Sequence, residues 1–284
     1  MSCFTVIDRS VTPARLVVPG AYNASVDFID RNLEEGRGEK IAVRDDAGAY
    51  TYAQVAEQVN RAGNALRGLD VAPGDRVIMV MADTAAFPAV FLGAIRIGAI
   101  PVPVNTMLTT NDYGFMLRDS GAKVLVASSV FWDTVAPALD DQPALKTVVV
   151  DGAAEGDALG LGDLMAEADS SLDPVLAAPE DPCFWLYTSG STGQPKGAVH
   201  AQKALVHTAE LYGVDVLGIR EDDIVFSAAK LFFAYGLGNA LSFPFHVGAT
   251  VVLMAERPTP EVVLKRVADY EPNIFYGVPT LYAG

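Results

Sequence analysis

Ten residues from Thr188 to Gly197, reading Thr-Ser-Gly-Ser-Thr-Gly-Gln-Pro-Lys-Gly, hold the most specific chemistry in the chain. Thr188, Ser189, Ser191 and Thr192 bring hydroxyl donors. Gly190, Gly193 and Gly197 let backbone N–H groups approach an anion closely. Lys196 adds one mobile positive charge, and Pro195 restricts the backbone beside it. A donor-rich loop of this kind suits a polyphosphate. A flexible Ser/Gly linker does not account for the apolar entry Phe184-Trp185-Leu186-Tyr187, the apolar exit, or the Pro-Lys-Gly punctuation. The P-loop pattern G-x-x-x-x-G-K-[ST] fails too, because Gln194 and Pro195 separate Gly193 from Lys196 and Gly197 follows the lysine.

The elements that must position this loop follow from hydrophobic pattern. Strands are expected at 41–44, 76–81, 100–104, 123–127, 147–150, 224–227, 250–254 and 273–276. Helices are expected at 52–69, 85–97, 112–120, 201–212, 237–243 and 260–270, with a short one near 161–168. Near-continuous Val/Ile strands alternating with helices predict an α/β fold with a parallel core sheet. The stretch 151–182, rich in Asp, Glu, Ala and Gly, reads as a surface excursion and a soft sublobe boundary.

The decapeptide resembles the signature loop of the adenylate-forming superfamily, which includes acyl-CoA synthetases, peptide-synthetase adenylation domains and luciferases. Tyr50-Thr51-Tyr52 is similar to that family's early helix-opening element. The run from Gly93 through Pro101 and Pro103 to Asn105 is similar to its G-A-x-x-x-G-A-x-x-x-P-x-N element, so the resemblance spans nearly the whole chain. Within the superfamily, Ser227-Ala228-Ala229-Lys230-Leu231-Phe232-Phe233-Ala234-Tyr235-Gly236-Leu237-Gly238-Asn239 is most similar to the benzoate–CoA ligases. So are Tyr22–Asp27, Arg37–Lys40, Gly218–Asp223 and Met254–Pro260.

The resemblance implies ligation of benzoate, or a small substituted benzoate, to coenzyme A through an acyl-adenylate, with ATP and Mg²⁺ required. It implies that Thr188, Ser189, Gly190, Ser191, Thr192, Gly193, Lys196 and Gly197 hold the ATP phosphates, with the Thr188 hydroxyl near the metal. It implies that Phe233, Ala234, Tyr235 and Gly236 wall the acid pocket. Flat aromatic walls with small residues between them suit a planar ring. Individually, Phe232 and Phe233 read equally well as ordinary core, whereas Tyr235 beside glycines reads as pocket. Where many relatives carry Thr-His after the loop, this chain has Ala201 and Gln202. His200 reads as a solvent-facing residue at a helix start, and His207 and His246 as structural residues without a visible partner.

The family's ribose-binding aspartate, metal-binding glutamate, hinge and catalytic C-terminal lysine would lie beyond residue 284. The sequence also stops inside a helix opening. The expectation is therefore that residues 1–284 form part of the large N-terminal domain, incomplete at the C-terminus, with the small C-terminal domain absent and the catalytic residues downstream. Another aryl- or acyl-adenylating ligase and a non-catalytic nucleotide-binding module remain open readings.

Composition sets the bounds. At 284 residues and 51% hydrophobic content the chain can bury a large core. A net charge of −15 argues against nucleic-acid or anionic-membrane partners. The expected partners are small molecules (aromatic carboxylate, ATP, CoA), with a homodimer compatible. Cys3 and Cys183 make neither a disulfide framework nor a metal motif. No signal sequence is apparent at the start, and residues 87–104 read as a buried helix and strand because Arg96 and three prolines interrupt them. A cytoplasmic location is expected.

Overall fold

The computed structural model describes residues 4–154, 156–188 and 194–283. Its strands in chain order are β1 (Val6–Asp8), β2 (Arg15–Val17), β3 (Ile41–Asp45), β4 (Gly48–Thr51), β5 (Arg76–Val80), β6 (Ile100–Pro103) and β7 (Val124–Ser128). They continue with β8 (Thr147–Asp151), β9 (Leu159–Gly160), β10 (Pro182–Thr188), β11 (Lys196–Ala201), β12 (Ile224–Ser227), β13 (Thr250–Val252) and β14 (Ile274–Tyr276).

Two five-stranded sheets organise the molecule. One has the order β6-β5-β7-β8-β9 and is parallel throughout. The other, β14-β12-β13-β3-β4, is parallel except for its β3–β4 edge. The period of two along each strand explains how they stack. Val77, Met79, Val124 and Val126 on one sheet, and Val43, Val225 and Val251 on the other, share a single core with helices Tyr52–Gly68 and Ala86–Arg96. The alternate residues face outward: Ile78, Val80 and Leu125 meet helix Thr110–Ser120, and Phe226 and Val252 meet helix Pro260–Tyr270. The result is helix, sheet, central helices, sheet, helix. Both sheets are covered on both faces, which is why their strands read as unbroken apolar runs.

The central helices touch backbone to backbone. A Cβ on Gly93 would lie 2.8 Å from both Gly63 N and Val59 O, so this crossing tolerates no side chain. Helix Tyr52–Gly68 begins with a capping box in which Thr51 and Gln54 satisfy each other's backbone N–H. None of the helices among the described residues is long and apolar enough to cross a membrane.

Several expectations need correction. The helix expected at 201–212 starts at Ala204 and widens into a π-helix over Ala209–Val214, because Ala201 belongs to β11. The helix expected at 237–243 starts earlier and is interrupted by a π-turn over Gly238–Ser242 before Phe243–Val247. Neither the β1–β2 hairpin nor the short helices Ala24–Phe28 and Asp30–Glu34 carried enough periodicity to be read.

Candidate functional site

The residues of the expected phosphate loop that the structure describes sit on an antiparallel hairpin. Strands β10 and β11 pair in a register that sets Thr188 opposite Lys196 and Tyr187 opposite Gly197. Side-chain alternation anchors the hairpin: Leu186 is buried in the central core, while Trp185 and Tyr187 pack against the outer cluster of the first sheet. Tyr187 also donates its hydroxyl to Asp119 at 2.7 Å. Thr188 and Lys196 are both exposed at the open end, and the Thr188 hydroxyl makes only a long 3.5 Å contact to the Lys196 carbonyl. No ion pair engages Lys196 among the described residues, so its charge is available to an anion. Ser189, Gly190, Ser191, Thr192 and Gly193 lie outside the described residues.

Where both sheets end, a cavity of about 590 Å³ opens. Ala228, Ala255 and Val278 follow strands β12, β13 and β14 into it, and Thr106 and Phe131 follow β6 and β7. In open parallel sheets, ligands bind outside the carboxyl ends of the strands, and here two such ends converge. Phe232 and Phe233 line the cavity, their ring centroids 4.4 Å apart and tilted by 55°. Phe232 is buried, whereas Phe233 is 45% exposed and presents a ring face.

The next residues leave the cavity lining. Ala234 and Tyr235 are exposed, and Tyr235 meets the Tyr276 ring edge-on at 6.2 Å. Gly236 is buried where the chain doubles back, and a Cβ there would lie 2.0 Å from the Lys230 carbonyl oxygen. Phe233 therefore lines the cavity. Ala234, Tyr235 and Gly236 continue that segment without lining it among the described contacts.

Lys230 and Asp83 were not singled out as functional by sequence reasoning. Lys230 lines the cavity with its side chain 13% exposed, and its ammonium stands 3.9 Å from the Asp83 carboxylate. Burial pushes the Asp83 carboxyl up to about 6, against the opposing pull of Lys230 and the Leu231 N–H. Burial likewise pushes Lys230 down. The available signals were a lone lysine in the apolar run Ala228–Phe233 and a lone aspartate just past a fully buried strand.

A second cavity, of about 660 Å³, lies at the opposite, N-terminal end of β3, β12 and β13. Three of its four lining arginines are held in ion pairs. Arg37 pairs with Glu35 and Glu221, Arg31 with Asp27, and Arg9 with Glu210.

All three histidines are now placed. His200 is not at a helix start but on β11, half-buried and stacked on Phe184 with ring centroids 4.5 Å apart, because the pairing with β10 continues through Ala201. His246 does have a partner: its Nε2 lies 2.7 Å from Glu210 Oε2, which also accepts from Arg9. His207 is half-buried on helix Ala204–Thr208. Gln202, one of the departures noted above, accepts a hydrogen bond from Ala24 N at 2.8 Å and serves the fold. Cys183 is buried, with burial pushing its thiol well up.

Among the described residues, no group of three or more His, Cys, Asp or Glu side chains is placed to hold a metal ion. Thr188 offers one neutral oxygen. That fits a Mg²⁺ that brings most of its ligands as polyphosphate oxygens and waters, and does not fit an all-protein cage.

Residues 29–284 match the family model described as AMP-binding enzyme. The chain belongs to the AMP-binding enzyme family. It is 53% identical, over all of its 284 residues and 54% of the relative, to a benzoate–CoA ligase of Thauera aromatica. It is 44% identical to a 4-hydroxybenzoate–CoA/benzoate–CoA ligase of Rhodopseudomonas palustris, over 92% of this chain and 48% of that protein. Among solved structures it resembles a benzoate CoA ligase from Burkholderia xenovorans LB400, with a TM-score of 0.85 and 43% identity, covering 92% of this chain and 51% of that one. The chain thus spans about half the length of the curated relatives it matches.

Proposed function

We propose that the chain serves an ATP-dependent ligase that joins benzoate, or a small ring-substituted benzoate, to coenzyme A through an acyl-adenylate. The observation that carries this reading is the aromatic-walled cavity at the converging strand ends, in a chain 53% identical throughout to a benzoate–CoA ligase. We assign residues 1–284 to the large nucleotide- and acid-binding domain of such an enzyme.

In the first step a carboxylate oxygen attacks the α-phosphorus of ATP and pyrophosphate leaves. In the second, the CoA sulfur attacks the acyl carbon and AMP leaves. Positioning and charge neutralisation are what the protein must supply. The Phe232 and Phe233 rings hold the planar acid, each ring contact adding about 0.5–1.5 kcal/mol beyond area burial. The apolar lining keeps water from the adenylate. We assign Lys196 and the Thr188 hydroxyl, with the Ser/Gly/Thr residues between them in sequence, to the polyphosphate; Thr188 would offer one oxygen to Mg²⁺ entering with ATP, which would supply further charge neutralisation.

The test is acid-dependent AMP release by the chain completed with the remaining length of its relatives. Benzoate is expected to be preferred over octanoate, and a preference for the fatty acid would overturn the aromatic assignment. In the same assay Phe233→Ala, which removes a ring that lines the cavity, should lower kcat/KM for benzoate roughly tenfold to a hundredfold, the value of about 1–3 kcal/mol of ring contact and burial.

Lys196→Ala separates the two halves of the site. Losing one charge-assisted contact costs about 1.5–3 kcal/mol, so KM for ATP should rise roughly tenfold to a hundredfold while KM for benzoate stays nearly constant. A rise confined to benzoate would remove Lys196 from the phosphate site.

A further inference from the structure

The cavity wall does not stand on packing alone. Past the end of β12 the chain must leave the second sheet and present Phe232 and Phe233 to the cavity, and it does so from a buried ionic anchor. Asp83, 4% exposed, lies three residues past the end of β5 in the first sheet. Its two carboxylate oxygens accept the Leu231 N–H at 3.3 Å each. Lys230, the preceding residue, donates to the Met254 carbonyl, contacts the Ala255 carbonyl at 3.4 Å, and stands 3.9 Å from the Asp83 carboxylate. The carbonyl of Lys230 in turn accepts the Phe233 N–H at 3.1 Å. One short segment is thereby tied to both sheets, and the two residues that follow its anchor are the aromatic wall.

Burying a carboxylate and an ammonium costs several kcal/mol per ion before their attraction is counted, and apolar replacements often match or exceed the pair in stability. A leucine at position 230 would suit the apolar run better. What the ionic pair adds is direction, because hydrogen bonds and opposite charges fix a geometry that apolar contacts leave free.

We propose that Asp83 and Lys230 are positioning residues for acid selection: the pair fixes the Leu231–Phe233 wall between the two sheets, and the fixed wall limits the size of ring the cavity accepts. The inference rests on the cavity being the acid site of the proposed ligase. Asp83→Asn keeps the acceptor for Leu231 N–H and removes the charge that holds Lys230. Protonation of Asp83 does the same, and its carboxyl titrates at about 6. The charged groups facing the pair are few. Asp83 faces Lys230, and Lys230 also feels Glu256, Asp46 and Arg266. Arg266 itself pairs with Asp46 and Glu256, and Asp83 is the buried carboxyl that stands directly against Lys230.

The experiment measures kcat/KM for benzoate and for the bulkier 2-naphthoate in the completed protein, for wild type, Asp83→Asn and Lys230→Arg, between pH 5 and 8. The expected result is a benzoate-over-naphthoate ratio about tenfold lower in Asp83→Asn, with KM for ATP within about twofold of wild type. Lys230→Arg, which keeps the charge, should retain most of the ratio. The wild-type ratio should fall toward the Asp83→Asn value as pH drops through about 6, while the variant's ratio stays flat. A lowered activity toward both acids with the ratio and its pH profile unchanged would overturn the proposal and leave the pair with a purely structural role. Should Asp83→Asn fail to fold, the wild-type pH profile and Lys230→Arg decide alone: a flat wild-type ratio overturns the proposal. If wild type releases no AMP with any aromatic acid, the ligase reading itself has failed, and this inference with it.

Discussion

Glu210→Ala is expected to destabilise the protein by about 1–3 kcal/mol, the cost of leaving the buried His246 ring and the half-exposed Arg9 guanidinium without their shared acceptor. Glu210 is fully buried on the π-helical turn Ala209–Val214. It accepts two hydrogen bonds from Arg9 at 2.5 and 2.7 Å and lies 2.7 Å from His246 Nε2. Removing it leaves Arg9 without its partner and His246 buried with neither ring nitrogen bonded, since Nδ1 already has no partner. The N-terminal segment keeps its hydrogen bond from Ala14 N to Asp215 at 3.0 Å. Burial opposes ionisation of Glu210, but the hydrogen bonds from His246 and Arg9 outweigh it and hold the carboxyl down to about 2. A depressed carboxyl contributes stability above its unfolded value of about 4.3, and that stability is lost as pH falls toward 2. The difference in unfolding free energy between wild type and Glu210→Gln should therefore shrink as pH falls from about 4 toward 2. A difference that grows within that window would contradict the assignment. Chemical denaturation at several pH values measures both.

Gly236→Ala should be as damaging, for a steric reason. The added Cβ would lie 2.0 Å from the Lys230 carbonyl oxygen, 2.5 Å from its carbon and 2.6 Å from the Ala229 carbonyl oxygen. All three are backbone atoms, so no side chain can swing away. Overpacking usually costs about 1–3 kcal/mol, and a clash with fixed backbone should reach or exceed the upper value. Because Lys230 anchors the aromatic wall, benzoate activation should fall more steeply than the melting temperature. A variant with wild-type kcat/KM and an unchanged melting curve would show that the chain does not double back here.

Much of this fold was legible because burial on both faces of a parallel sheet leaves a plain signature. Val77–Met81, Val124–Ala127 and Val148–Val150 are nearly pure Val/Ile/Leu/Ala/Met runs, and each is a strand. The helices expected at 52–69 and 112–120 from apolar pattern are also there, each opened by a capping box, Thr51 with Gln54 and Thr109 with Asp112, that the pattern did not disclose. The π-helical turns were not legible, since Ala209–Val214 and Gly238–Ser242 are compatible with an ordinary helix at every position. Nor did periodicity reveal that His200 continues β11 rather than opening the next helix. The candidate site divides the same way. Thr188 and Lys196 stood out by residue type and local spacing, whereas Phe233 reads equally well as core and points to the pocket only through the family resemblance. Asp83 and Lys230 meet across 147 positions of sequence, and Glu210 and His246 across 36, so these pairings exist only after two sheets and a helical layer have been assembled. Long-range ionic contacts between single residues leave no periodic trace.

The most direct test of the central claim is a crystal structure of the completed protein bound to a non-hydrolysable sulfamoyl analogue of benzoyl-adenylate. The benzoyl ring should lie in the cavity at the strand ends, within van der Waals contact of Phe233 and close to Phe232, with the sulfamoyl group directed toward Thr188 and Lys196. A ring bound in the arginine-lined cavity at the opposite end of the sheet, or an analogue that leaves Phe232 and Phe233 untouched, would contradict the account.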